Sequence, residues 1–218
     1  MYILNIETST KNCSVSLSKQ GKTVILKEEA EQNFTHSEKL HLFIDEILKE
    51  VSVSYKQLSA VALSKGPGSY TGLRIGTSTA KGLCFALDIP LIAIDSLTIL
   101  AQQVQLKNGL IIPMIDARRM EVYTAVFDEN HNKKSEIQAL VIDENSFSDI
   151  SEKVYFIGDG ASKCKSILTQ ENFIFLDDII YPSAQEMAIL SFKKFQAKEF
   201  EDIAYFEPFY LKEFFTGK

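Results

Sequence analysis

Cysteine is scarce in the 218-residue sequence, and its placement excludes several kinds of site. Cys13, Cys84 and Cys164 lie far apart and form no Cys-x-x-Cys pair, so no zinc or redox motif is present. Isolated cysteines indicate reduced, buried thiols in a cytoplasmic protein. No apolar run is long enough to cross a membrane, and the first ten residues lack the basic region of a signal peptide. We therefore expect a cytoplasmic protein without a membrane contact.

Positive charge is also in short supply. The sequence has 23 Lys and Arg against 29 Asp and Glu, which gives a net charge of −6. An acidic chain is a poor candidate for binding nucleic acid by itself. Any such contact is expected to be indirect, or minor and local around Arg118 and Arg119.

Catalytic motifs are missing as well. The sequence has no G-x-S-x-G elbow, no Walker A lysine and no G-x-G-x-x-G spacing. Ser69 has no histidine placed by sequence to activate it. His36 and His41 lie five residues apart on a predicted helix, about 140° around its axis, so they cannot share one metal ion. No catalytic residue and no metal ligand is predicted.

The stretch from residue 58 to 87 does carry a pattern. The apolar run 60–63 predicts a buried strand, and Gly66-Pro67-Gly68-Ser69 follows it before a helix that begins near Tyr70. A strand, a glycine turn and a helix N-terminus capped by Ser69 can cradle an anion, because unpaired N–H groups and the helix dipole point the same way. The alternative is a turn that needs glycine for its geometry alone.

The predicted helix after this turn carries a stripe of small residues. Gly72, Gly76 and Ala80 recur every four residues. Each glycine in a helix interior costs up to about 1 kcal/mol relative to alanine. The stripe therefore predicts that another backbone packs closely against the helix, either within the chain or in a partner.

Alternating and periodic apolar residues predict further elements. The sequence predicts strands at 2–6, 13–18, 23–26 and 91–94, and helices after a Thr35–Glu38 capping box, from Ser96 to about Gln105 and from Ser183 to about Phe195. The strand at 13–18 alternates apolar and polar residues, which is typical of a half-buried strand. The aromatic tail 207–211 is expected to pack back on the body of the protein.

The second half of the chain repeats the pattern of the first. Residues 112–116 form an apolar strand ending in Asp116, 109 residues after the strand that ends in Glu7. Residues 122–127 then match 13–18, and 154–160 match the strand and glycine turn around Gly66. We therefore predict a duplicated α/β protein with domains at 1–106 and 107–218 and a cleft between them. Two unrelated α/β halves are the alternative.

The run Gly66–Gly76, GPGSYTGLRIG, resembles the G-P-G-S-[FY]-T-G-L-R-I-G run of the TsaB (YeaZ) family, which serves bacterial tRNA threonylcarbamoyladenosine biosynthesis. The resemblance continues through residues 6–10 and 13–15, through 36–40, and through Pro208–Leu211. It implies the duplicated actin/Hsp70/sugar-kinase fold, which is RNase H-like in each half.

The resemblance also implies which branch of the family this is. The catalytic branch of the family carries an H-x-x-x-H pair whose two histidines hold a metal. Aligning this chain with that branch, as the resemblance implies, puts Ser96 and Leu100 at the two histidine positions. Neither side chain can replace imidazole. We can assign no equivalent of that branch's late metal-binding aspartate. The resemblance therefore implies a non-catalytic subunit that supports a metal-bearing TsaD-type transferase, together with a TsaE-type ATPase subunit.

The same resemblance implies a helical interface in the first domain. It implies a heterodimer with the transferase subunit, or a homodimer when that partner is absent, with tRNA contacted only indirectly. The residues expected near the interface are Leu40, Phe43, Ile44, Gly72, Leu73, Gly76, Thr77 and Ala80.

A second hypothesis is an independent ATP-dependent kinase or ATPase of the same fold. Its nucleotide would lie in the cleft against Glu7, Gly66, Gly68, Ser69 and Asp116. The weak phosphate loops and the short second half argue against it, and fold analogy alone does not establish function. No cofactor is predicted, although a nucleotide in the cleft stays open.

Overall fold

The computed structural model describes residues 1–30 and 36–212. The chain forms two compact units: the first contains Met1–Ile99 and Pro182–Phe209, and the second contains Leu100–Tyr181 and the segment from Tyr210 onward. The sequence predicted a single domain boundary, near residue 106. In the structure the units divide between Ile99 and Leu100, and the last helix belongs to the first unit.

The first unit is built on a five-stranded sheet. Its strands are β1 (Tyr2–Glu7), β2 (Asn12–Lys19), β3 (Lys22–Ala30), β4 (Leu58–Gly66) and β5 (Leu91–Asp95). They lie in the order β3-β2-β1-β4-β5. β1, β2 and β3 form an antiparallel meander, and β4 and β5 run parallel to β1.

Helices cover both faces of this sheet. The α-helices of the described residues are α1 (His36–Glu50), α2 (Tyr70–Leu87), α3 (Ser96–Ala101) and α4 (Met187–Ala197). Leu4 and Ile6 of β1 lie in the core beneath α1 and α2, whereas Ile3 lies in a separate core beneath α4. Successive side chains of a strand point to opposite faces, so a strand covered on both faces is mostly apolar and any polar side chain in it needs a hydrogen-bond partner.

β2 departs from its prediction as a half-buried strand. Its serines are fully buried, because the segment that leads into α4 covers them. Ser16 Oγ donates to the Ala184 carbonyl at 2.7 Å. Asn5 Nδ2 donates to Ser16 Oγ and Ser18 Oγ, both at 3.1 Å, and Ser191 Oγ of α4 donates to Asn5 Oδ1 at 2.7 Å. The polar face of β2 therefore binds the returning chain rather than water.

The second unit repeats the sheet of the first. Its strands are β6 (Leu110–Asp116), β7 (Glu121–Thr124), β8 (Gln138–Val141), β9 (Val154–Ile157) and β10 (Phe173–Phe175). Their order is β8-β7-β6-β9-β10, with β6, β7 and β8 antiparallel and β9 and β10 parallel to β6. This is the order and direction of β3-β2-β1-β4-β5, which confirms the predicted duplication and the actin/Hsp70-like α/β fold.

The two copies differ in detail. The predicted strand at 122–127 is β7, Glu121–Thr124, and a short 3₁₀ turn, Ser162–Cys164, stands where α2 follows β4 in the first unit. The repeat of the first half also predicts a helix after the second glycine turn, and that prediction is wrong. α3 ends at Ala101 rather than near Gln105, and α4 begins at Met187 rather than Ser183.

Three further predictions concern helix ends and the tail. Ser69 caps α2, since its Oγ accepts the Gly72 N–H at 3.3 Å. Thr35, the predicted cap of α1, lies outside the described residues. The Phe209 N–H donates to the Lys65 carbonyl at 2.7 Å, so the tail packs back on the first unit as predicted. Among the described residues, none of the helices is long and apolar enough to span a membrane.

Candidate functional site

The glycine turn between β4 and α2 packs against the loop that follows β1. The Ser69 N–H donates to the Ser9 carbonyl at 2.7 Å. A Cβ on Gly68 would lie 2.2 Å from that same carbonyl oxygen. Of the two interpretations of the turn, the structure therefore favours close approach of the chain's own backbone. An anion at this turn would have to displace the Ser9 carbonyl.

The small-residue stripe on α2 also faces this loop. A Cβ on Gly72 would lie 2.1 Å from the Thr8 carbonyl oxygen, and a Cβ on Gly76 would lie 2.3 Å from Thr8 Oγ1. Thr8 Oγ1 donates to the Gly72 carbonyl at 2.9 Å. Ala80 lies in the core between α2 and the sheet. The neighbour that the stripe predicted is thus inside the chain.

Glu7 ends β1 beneath this loop and is completely buried. Its Oε1 accepts the Ser9 N–H at 2.5 Å, and among the described residues Oε2 has no hydrogen-bond partner. Burial raises the pKa of Glu7 to about 7, only partly offset by the hydrogen bonds from Ser9 and Ser64. A buried carboxyl that holds a proton near neutral pH is not an exposed anion ready to bind a cation.

Asp116 ends β6 in the second unit and is exposed. Its Oδ1 accepts the Arg118 N–H at 3.1 Å and forms an ion pair with the Lys163 ammonium. The Asp116 N–H donates to Asp159 Oδ1 at 2.9 Å. The charge of Asp116 is therefore balanced by a lysine of its own unit.

The structure thus brings Glu7, Gly68 and Ser69 together around Ser9, while Gly66 faces the tail. Gly66 adopts a φ of +107°, and a Cβ there would lie 2.9 Å from the Phe209 carbonyl oxygen. Whether a nucleotide binds the chain stays a prediction. The geometry within each unit explains the five predicted nucleotide residues without one.

Most of the predicted partner contacts lie inside the chain. Of the eight residues, seven are buried within the chain and only Phe43 is half-buried. The apolar face of α1, which carries Leu40 and Ile44, covers the first sheet. The apolar face of α2, which carries Leu73 and Ala80, covers it too. Neither face is available to a partner in this structure.

The exposed faces of these two helices carry other residues. Phe85 on α2 is 84% exposed and Leu42 on α1 is 57% exposed. Gly82, one turn before Phe85, is exposed, and a Cβ there would meet no atom of residues 1–30 or 36–212 within 4 Å. Sequence reasoning missed these residues because it followed the strongest apolar stripe. The sequence does contain a signal for them, because Leu42 and Phe85 are apolar residues that lie outside the apolar stripes of their helices.

Metal binding receives no support from the described part of the chain, where no group of three His, Cys, Asp or Glu side chains is close enough to hold an ion. His36 is buried, with Nε2 2.8 Å from the Thr10 carbonyl, whereas His41 is exposed. Ser96 and Leu100, which the resemblance places at the two histidine positions of the catalytic branch, are both buried on α3.

Comparison with known proteins shows the same family from sequence and from structure. The family model described as "TsaD: tRNA N6-adenosine threonylcarbamoyltransferase" matches residues 25–214. The chain is 32% identical to the tRNA threonylcarbamoyladenosine biosynthesis protein TsaB of Haemophilus influenzae, over 100% of this chain and 96% of that protein. It is also 32% identical to TsaB of Bacillus subtilis, over 97% of this chain and 94% of that protein.

Solved structures agree with this result. YeaZ from Pseudomonas aeruginosa superposes with a TM-score of 0.83 at 25% identity, over 96% of this chain and 99% of that chain. The (R)-2-hydroxyglutaryl-CoA dehydratase component A of Acidaminococcus fermentans has a TM-score of 0.53 at 12% identity, over 89% of this chain and 98% of that chain, a likeness of fold alone. With its sequence matching TsaB over its whole length and its fold matching YeaZ, the chain belongs to the TsaB (YeaZ) family of tRNA threonylcarbamoyladenosine biosynthesis proteins.

Proposed function

We propose that this chain is a non-catalytic subunit of the complex that places threonylcarbamoyl on the tRNA adenosine next to the anticodon. It would act by forming a heterodimer with a TsaD-type transferase subunit in the cytoplasm, in a complex that also contains a TsaE-type ATPase subunit. The family name supports the pathway. The buried Ser96 and Leu100, where the transferase branch has histidines, support the absence of catalysis by this chain itself.

The docking face that we propose consists of the exposed sides of α1 and α2 around Leu42, Gly82 and Phe85. The observation that carries it is Phe85, a large apolar side chain left 84% exposed on a well-formed helix. A contiguous exposed apolar patch marks an interaction site, and the proposal is that Leu42 and Phe85 belong to one such patch. Gly82 supports the same face, because no neighbour among the described residues explains its cost to the helix, unlike Gly72 and Gly76. A partner helix could approach closely at Gly82.

The same face would serve a homodimer when the transferase subunit is absent. Two copies related by a two-fold axis would bury Phe85 of each against the other. Competition between homodimer and heterodimer for one face is therefore part of the proposal.

The test combines size-exclusion chromatography with an activity assay. The catalytic subunit is assayed for threonylcarbamoyl transfer to tRNA with and without this chain, and the mixture is tested for co-elution. We expect activity to require this chain and the two proteins to co-elute. Separate elution with unchanged activity would reject the subunit role.

A pair of variants tests the docking face. Phe85→Glu should abolish co-elution and lower transfer at least tenfold, while the thermal melt of the isolated chain stays close to that of the parent. Val141→Glu is the matched control, because Val141 is a 64% exposed apolar residue on β8 of the second unit. It should leave assembly unchanged. A Phe85→Glu protein that still co-elutes would disprove this face but not the subunit role.

The kinase or ATPase alternative is separated by one further assay. The purified chain is incubated with Mg-ATP, and phosphate release is measured. We expect no turnover, because Glu7 is buried and the glycine turn is filled by the Ser9 carbonyl. Magnesium-dependent turnover by the chain alone would support the alternative.

A further inference from the structure

The loop Asp116–Glu121 between β6 and β7, called here the arginine loop, has an unusual backbone. Arg118 and Arg119 adopt φ values of +71° and +50°. Two consecutive residues other than glycine in the left-handed region cost conformational energy, which the surrounding structure must supply. Such an outlier is a reason to look for a function.

Lys163 holds the loop in this conformation. Its ammonium donates to the Arg119 carbonyl at 2.6 Å and to the Glu121 carbonyl at 2.7 Å, and it pairs with the Asp116 carboxylate. The backbone adds further bonds: Ala117 N–H donates to the Glu121 carbonyl at 3.1 Å, and Glu121 N–H donates to the Arg118 carbonyl at 3.2 Å. The two arginines are thus presented from a rigid loop, which lowers the entropic cost of binding.

The local charge balance leaves the two arginines uncompensated. The acidic groups of the loop are already paired, Asp116 with Lys163 and Glu121 with Lys212. Arg118 and Arg119 are both exposed, and within residues 1–30 and 36–212 neither guanidinium forms an ion pair. Two positive charges therefore remain available on a chain whose net charge is −6.

The choice of arginine is itself informative. Only three of the 23 basic residues are arginine, and two of them are adjacent in this loop. The third, Arg74, lies over the Tyr70 ring at 4.1 Å from its centroid. A chain that uses lysine nearly everywhere else has arginine where a planar, bidentate donor is an advantage, as in recognition of phosphate.

We infer that the arginine loop binds phosphodiester groups of the tRNA in the assembled complex. This inference rests on the proposed function, since that function brings tRNA to the complex. RNA is favoured over an acidic protein surface because tRNA offers a monoanionic phosphate at every nucleotide, so two neighbouring guanidiniums can each find one. Contacts of this kind position the RNA without selecting its sequence. The acidic chain as a whole would not attract tRNA, so the contact is expected only once the partner subunit has bound the RNA.

The experiment uses the complex of this chain with the catalytic subunit and measures tRNA binding by fluorescence anisotropy between 50 and 200 mM salt. The variant replaces both arginines, Arg118→Asn with Arg119→Asn, since asparagine tolerates the left-handed backbone and keeps the loop folded. We expect Kd for tRNA to rise about threefold to tenfold. We also expect the slope of log K against log salt to become shallower by about 1.4 to 1.8, which corresponds to two lost phosphate contacts. In the transfer assay, KM for tRNA should rise while kcat stays unchanged.

Two further variants sharpen the result. Lys133→Ala with Lys134→Ala removes the same charge from two exposed lysines of the second unit and should leave the salt slope unchanged. Arg118→Lys with Arg119→Lys keeps the charge and should recover the salt slope but only part of the affinity.

The outcomes separate this inference from the proposed function. If the complex assembles and transfers normally but the asparagine variant keeps the parent's salt slope and KM, the arginine loop does not bind tRNA and the inference is wrong. If that variant weakens assembly with a protein subunit instead, the loop binds an acidic protein surface, which also overturns it. If the unmodified chain neither co-elutes nor affects transfer, the proposed function itself has failed.

Discussion

The glycines of α2 provide a sharp test of the tertiary structure, because one helix carries glycines of opposite character. Gly72 and Gly76 lie against Thr8, whereas Gly82 faces open space. On helix propensity alone, alanine at any of the three would stabilise the protein by up to about 1 kcal/mol. The structure predicts that only Gly82→Ala does so.

The magnitudes follow from the distances. At Gly72 a new Cβ would lie 2.1 Å from a backbone oxygen, which cannot move without shifting the loop after β1. Overpacking of this kind costs typically about 1–3 kcal/mol, and more when backbone must move. After the gain in propensity, we expect Gly72→Ala to lower the free energy of unfolding by about 2 kcal/mol. Gly82→Ala should raise it by about 0.5–1 kcal/mol.

Gly76 allows a further step, because its neighbour is the Thr8 hydroxyl rather than backbone. Thr8→Ala should cost about 1 kcal/mol, since it removes the hydrogen bond to the Gly72 carbonyl. In that background the atom next to Gly76 is Thr8 Cβ at 3.5 Å, an ordinary contact. Gly76→Ala should therefore destabilise the parent but stabilise the Thr8→Ala protein. Gly72→Ala should destabilise both.

Urea unfolding followed by circular dichroism measures each variant, and a double-mutant cycle gives the coupling with Thr8. A coupling of about 1–3 kcal/mol is expected for Gly76 and a smaller one for Gly72. The reasoning would be refuted if all three alanine variants stabilised the protein. It would also be refuted if Thr8→Ala rescued Gly72→Ala as fully as Gly76→Ala.

The remaining predictions concern buried titratable groups. Burial raises the pKa of Glu7 to about 7, so the folded chain holds a proton that the unfolded chain releases above pH 4.5, its ordinary value. The free energy of unfolding should therefore fall by about 3 kcal/mol as pH rises from about 4.5 to about 7. Glu7→Gln can still accept the Ser9 N–H and should remove this fall. Urea unfolding of the parent and of Glu7→Gln at pH 5 and pH 8 measures the effect. An equal loss of unfolding free energy in the two proteins would contradict the prediction. Burial raises the pKa of Cys13 to about 12 and of Cys84 to about 11, and also raises that of Cys164. Iodoacetamide at pH 8 should label none of the three cysteines in the folded chain. A labelling rate faster than the rate of global unfolding would contradict the burial of these thiols.

Much of the fold could be predicted from local pattern. Apolar runs and turn residues located the other strands but not β8 or β10, and the repeat at an offset of about 109 predicted the duplication that the two sheets confirm. Predicted element ends were less accurate, as at α3 and α4, because helix ends depend on packing as well as on caps. The serines of β2 gave a misleading signal: alternation predicts a solvent face, but a segment from the far end of the chain covers it.

The candidate site was predicted less well. Of the five residues predicted to bind a nucleotide, Glu7, Gly68 and Ser69 lie together, but around the backbone of Ser9. The predicted partner residues came from the strongest apolar and small-residue stripes of α1 and α2. Those stripes are strongest where a helix meets its own sheet. The proposed docking face depends on which apolar residues stay exposed after the chain folds, and only the tertiary structure shows which residues those are.

The sequence by itself determined the family, the positions of most strands, the duplication and the Ser69 cap, because each depends on local periodicity, turn chemistry or a long specific run. Only the tertiary structure decided which glycines of α2 are essential, which residue forms an ion pair with Asp116 and why Glu7 has a raised pKa. Those properties arise from atoms brought together across the chain: Thr8 lies more than sixty residues before Gly72, and Lys163 lies 47 residues after Asp116. Distances of a few ångströms between such residues set the energies, and no local pattern in the sequence encodes them.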